Sequence, residues 1–169
     1  MRENRTSGSV SGQLGTWLFY DDGKKKFCMD FEKYCWHDNP IHGFRIIEME
    51  HGTGNLELDI DYIVEWICKE DSSCDFKIAP ATLTFKGITE LEITLDYKAC
   101  TAAISPPSIH EIKRESFSYP NGYKSYSWHI VINWPTDAYI KFMADGFTQK
   151  LNKEPIIYHQ QVLPHELRA

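Results

Sequence analysis

Leu56, Leu58, Ile60, Tyr62, Val64 and Trp66 occupy every second position of one stretch, with Glu57, Asp59, Asp61, Ile63 and Glu65 between them. A period of two predicts a strand with one face turned to the core and the other to solvent. The solvent face would carry a row of carboxylates. Weaker alternation predicts further strands on either side. Ile41 to Glu50 is one, joined to the acidic strand through the His51-Gly52-Thr53-Gly54-Asn55 turn as a hairpin. Phe76 to Phe85 is another, and Pro80 within it predicts an edge position or a bulge.

Ile88 to Leu95 resumes the alternation, with Leu91, Ile93 and Leu95 inward. Ile109–Phe117 and Tyr123–Trp134 flank an Asn121-Gly122 turn, the usual chemistry of a tight hairpin. Ala138 to Ala144 follows the Pro135-Thr136-Asp137 turn, and 147–151 continues beyond Gly146. The tail, with Ile156, Ile157, Val162 and Leu163, fits either a docked helix or an edge strand. Helical periodicity is weak throughout. The expected fold is therefore all-β, or a β-rich α+β variant. It is a single domain over 29–169, an antiparallel meander of about seven or eight strands forming a curled sheet or sandwich. Residues 1–28 read as a flexible N-terminal extension with a short strand over 16–20.

Charge changes this picture more than bulk composition does. The chain has 24 acidic and 18 basic residues, a net of −6. Residues 48–75 hold nine acids (Glu48, Glu50, Glu57, Asp59, Asp61, Glu65, Glu70, Asp71, Asp75) and only Lys69, so nine minus one gives −8 for that segment. Such a patch repels phosphate backbones, which argues against a nucleic-acid partner, and attracts basic proteins. No apolar run approaches the roughly 20 residues of a membrane span, so no membrane partner is expected. The first residues lack the apolar core of a secretory signal, which makes a cytoplasmic location the expectation. Five cysteines (Cys28, Cys35, Cys68, Cys74, Cys100) then read as reduced thiols, mostly buried.

Two groups of side chains are candidate sites. Glu57, Asp59, Asp61 and Glu65 would line one strand face, successive members roughly 6.5–7 Å apart. That spacing suits docking of a basic surface better than shared coordination of one ion. His37, Asp38 and His42 are residue types that ligate divalent metals, and a metal-dependent hydrolase built on them is the alternative reading. The plainer role for Asp38 is bonding to loop backbone, with His37 half-buried among aromatics. His129, with Ser125, Ser127 and Asn133, would lie on an exposed polar strand face. The chain has no Gly-x-Ser-x-Gly elbow, phosphate-cradling loop or dinucleotide fingerprint, so no cofactor and no catalytic residue is expected.

The element Trp36-His37-Asp38-x-x-Ile41, followed by a strand, a turn and an alternating strand ending at Trp66, resembles a loose class of small bacterial β-rich proteins. Some of these are described as immunity proteins of polymorphic toxin systems. The resemblance spans roughly 29–151 and carries no catalytic residues. It implies a binding role and no mechanism; the acidic strand face is what makes a basic protein, such as a toxin domain, the expected partner.

Overall fold

The computed structural model describes residues 31–99 and 104–169. The expected strand at 16–20, the N-terminal extension, Cys28 and Cys100 lie outside the described residues. After a short 3-10 turn at Phe31–Lys33 come nine strands: β1 (Ile41–Glu48), β2 (Gly54–Cys68), β3 (Cys74–Lys86), β4 (Thr89–Thr94), β5 (Ser108–Ser118), β6 (Lys124–Trp134), β7 (Tyr139–Ala144), β8 (Gly146–Leu151) and β9 (Ile156–Tyr158). A single helical turn, α1 (His165–Arg168), closes the chain.

The strands form two antiparallel sheets. One runs β1-β2-β3-β8, with β9 also on β3, and the other runs β4-β7-β6-β5. The all-β expectation holds, but the connectivity is not one meander. β1-β2-β3 and β5-β6-β7 are two meanders, stitched together because β4 pairs with β7 and β8 returns to β3.

The stitch is a shared corner. β3 passes through Gly87 into β4, and β7 passes through Asp145 into β8. The Asp145 amide donates to the Lys86 carbonyl, holding the two bends side by side. Gly87 has φ +63°, and a Cβ there would lie 2.9 Å from the Asp145 carboxylate. A side chain is therefore excluded both by backbone conformation and by space.

Between the sheets lies one core. Leu56, Leu58 and Ile60 of β2 and Ala81, Leu83 and Phe85 of β3 meet Ile109 and Ile112 of β5, Trp128, Ile130 and Ile132 of β6, and Ile140 and Phe142 of β7. Aromatic rings close one end: Phe85 lies 4.9 Å from Trp128 and 4.7 Å from Phe142, both edge-on. Leu91, Ile93 and Leu95 pack against this core as the alternation requires.

Pro80 is not on an edge strand. β3 is internal, but β8 pairs with its residues 81–86 and β9 with 76–78. The Pro80 carbonyl accepts from Asn152 on that side, so the ring nitrogen faces the same interrupted ladder. The missing N–H falls where no strand asks for it.

Candidate functional site

The acidic strand changes character halfway along. From Leu56 to Ile60 the alternation holds, and the apolar members have no exposure. The register then slips between Ile63 and Glu65. Ile63 pairs with Ile78, Glu65 with Lys77 and Trp66 with Phe76, which leaves Val64 as the extra residue. A bulge of this kind inverts the faces of everything after it. Ile63 and Trp66 now share a side with Phe76 and Ile78. That side is the outer one, and Ile63, Phe76, Ile78 and Leu163 form a second, smaller core there. The bulged backbone is supported by Asn39, whose buried Oδ1 accepts from the Ile63 amide at 3.2 Å.

The expected row of four carboxylates is therefore broken. Glu57, Asp59 and Asp61 share the outer face, and the bulge sends Glu65 to the opposite one, across from Lys77. Glu57 is bonded to Arg45 at 2.6 Å. Asp59 is bonded to Arg168 Nη2 at 2.5 Å. Asp61 is not a solvent-facing group at all: it is wholly buried. Its Oδ2 accepts from His42 Nε2 and from the Leu163 amide, each at 2.8 Å, and its Oδ1 accepts from Arg168 Nη1.

The segment after β8 does the covering. β9 adds to β3, Leu163 plugs the second core, and α1 delivers Arg168 to Asp59 and Asp61. We refer to residues 152–169 as the strap. Burial, then the Arg168 guanidinium, hold the His42 imidazole below its usual range, with Asp59 pulling against them. Beside the strap a groove of about 500 Å³ opens, lined by Arg45, Glu57, Asp59, Thr82, Asn152 and Arg168 among others. Two guanidinium groups balance two carboxylates in that wall, so the groove has little net charge of its own.

His37, Asp38 and His42 do not converge. His37 Nδ1 lies 3.2 Å from Asp38, and Asp38 also accepts from Asn133 at 2.6 Å and Gln161 at 3.4 Å. His42 turns instead to Asp61. Among the described residues no group of three or more His, Cys, Asp or Glu side chains is placed to share a metal ion.

The Trp36-to-Ile41 element has a structural task. Asp38 donates its amide to Ile109, Ile109 donates to Asn39, and Ile41 donates to Pro107. On the other side Asp61 donates to the Pro40 carbonyl. The element thus laces the edge of one sheet to the edge of the other. The left-handed φ of Asp38, +62°, makes that turn possible and suits an Asp.

Cys68 and Cys74 are joined as a disulfide across the β2–β3 tip, not held as thiols, and Cys35 is free and exposed rather than buried. Sequence spacing gave no hint of the bond, because its cause is the hairpin register that sets the two residues opposite each other. His129 lies on the second sheet's outer face, between Lys113 and Lys141 in the ladder, whereas Ser125 is buried beside Asp145. Arg168 and Leu163 of the strap, and Asn39 beneath the bulge, were invisible to sequence pattern because each acts from a region without periodicity. Among the described residues no helix is long and apolar enough to cross a membrane. Comparison of the chain with protein-family models, with curated proteins and with solved structures gives no match.

Proposed function

We propose that this protein is a non-enzymatic binding module that captures a basic partner protein, with neutralisation of a toxin-like domain as the intended outcome. One observation carries the reading. Even after the internal pairings are counted, the region around β2 stays strongly negative. Nine carboxylates in 48–75 are set against Lys69, Arg45, Arg168 and Lys77, which lies across from Glu65, and nine minus four leaves −5. A field of that size steers a cationic partner and speeds its encounter, while contact energy comes from apolar and aromatic anchors.

The division of labour among the acids differs from a simple row. Asp59 and Asp61 hold the strap, so they are unsuitable as contacts. Glu48, Glu50 and Glu70 are exposed, Glu57 is partly so, and these supply the long-range attraction. The test is association of the full chain with a lysine-rich peptide. Binding should weaken as salt rises and fall further when Glu48, Glu50 and Glu57 are all changed to Lys. Association that ignores both salt and the triple reversal would end the proposal.

A further inference from the structure

The groove beside the strap has a floor made by one row across the sheet. Gly43 of β1 pairs with Asp59 of β2, and Asp59 with Thr82 of β3, so the three stand side by side on the outer face. The next row supplies one wall, with Arg45 opposite Glu57. The strap supplies the other, with Asn152, His165 and Arg168. At about 500 Å³ the hollow has the size of a small-molecule site.

Gly43 keeps that floor open. Its backbone is not left-handed, and a Cβ built there would meet nothing within 4 Å. A register shift lies between Ile41 and Gly43, but without a positive φ it is open to any residue. Neither conformation nor packing therefore calls for glycine. A strand glycine of this kind also marks places where a ligand approaches the backbone closely. A larger residue here would rise beside Asp59 into the hollow.

The charged groups in the groove are paired but not used up. The Arg45 side chain is 71% exposed although it bonds Glu57 at 2.6 Å, and the Asp59 side chain is 53% exposed although it bonds Arg168 at 2.5 Å. A guanidinium has five N–H donors and an ionised carboxylate about four acceptor sites, so one such bond leaves each with capacity for a ligand. Arg168, by contrast, is committed to both Asp59 and Asp61. At the far end of the row Asn152 Nδ2 donates to Thr82 Oγ1 at 3.1 Å, an uncharged polar pair. With its charges in balance, the groove would set a purely cationic or purely anionic ligand against a group of its own sign. A small molecule carrying both charges answers both.

We infer that this groove is a binding site for a small zwitterion of the amino-acid type. Its carboxylate lies on Arg45, its ammonium on Asp59 and Glu57, and a polar, uncharged side chain reaches toward Thr82 and Asn152. The inference goes beyond the basic-partner reading and does not depend on it. A docking protein would have to displace the strap to use Asp59, whereas an ammonium group needs only the spare acceptor sites of its carboxylate.

The experiment is an NMR titration of the labelled full chain with three probes: L-glutamine, N-acetyl-L-glutamine, which lacks the ammonium, and L-glutaminamide, which lacks the carboxylate. Glutamine should shift the amides of Gly43, Arg45, Asp59 and Asn152. Each blocked form should bind at least about tenfold more weakly, as expected for the loss of a charge-assisted contact. Gly43→Val should weaken glutamine binding by at least the same factor by filling the floor. Arg45→Gln should do so too, and the exposure of Arg45 keeps that variant folded. Ile157→Lys, an exposed change on β9, should leave binding as it was. No saturable shift at those amides, or binding that survives both Gly43→Val and Arg45→Gln, would overturn the inference. A blocked form that binds as tightly as glutamine would overturn it as well, by making the groove a site for a simple cation or a simple anion.

Discussion

The two halves of β2 have the same alternating composition and opposite fates. From Leu56 to Ile60, apolar residues point to the core between the sheets and acids point out. From Asp61 to Trp66, an acid is buried, Ile63 is buried on the outer face, and Val64 and Trp66 are exposed. The difference is made by residues far away in sequence: Asn39 supports the bulge, and the strap brings Leu163 and Arg168. A period of two specifies extended backbone. It does not specify which face another segment will cover.

The comparison can be broken first at Asp61. Removing one partner of a buried ionic network leaves the other uncompensated, so Asp61→Ala should cost about 3–5 kcal/mol in urea unfolding. Leu163→Ala should cost about 2–4 kcal/mol from lost burial and a cavity. Hydrogen exchange should quicken at Ile63 and Ile78 in that variant while Leu56–Ile60 stays protected. Reducing the Cys68–Cys74 bond, which closes a very short loop, should lower stability by about 2 kcal/mol on the chain-entropy estimate. Because that loss acts through the unfolded chain, protection should fall at every amide that exchanges by global unfolding, Leu56–Ile60 included.

A smaller effect concerns protons. His42 is held below the ordinary imidazole value of 6.5 mainly by burial, then by Arg168, and Asp59 opposes both. His129 is held below it by burial, then by Lys141 and Lys113, with Glu111 opposing. As pH falls, the unfolded chain takes up these protons first. Stability should therefore be fully present above about pH 6.5 and decline as pH drops through the folded-state values. Thermal unfolding across that window should show a decline softened by His42→Gln. At the bottom of the scale is Glu57→Ala, whose exposed partner Arg45 makes a loss beyond about 1 kcal/mol unexpected.

Much of the fold was legible. The strands, the 41–48/54–68 hairpin and the Asn121-Gly122 turn fall where alternation and turn chemistry place them, because both are local properties of the chain. The site was less so. Glu57, Asp59 and Asp61 do share a face, but Glu65 left it through a bulge that no residue type in 63–65 announces. Asp61 looked like a solvated acid because its partners lie 19, 102 and 107 positions away in His42, Leu163 and Arg168. The His37/Asp38/His42 group looked like a ligand set from proximity in sequence. A left-handed turn at Asp38 and the strand that follows send its members apart.

These observations make the strap the occupant of the outer face at Asp59 and Asp61. A double-mutant cycle between Asp61→Asn and Arg168→Gln, read by equilibrium unfolding, tests this most directly. A coupling energy of about 1–3 kcal/mol is predicted. Strictly additive losses would mean that Arg168 does not close over Asp61 and that the face stands open.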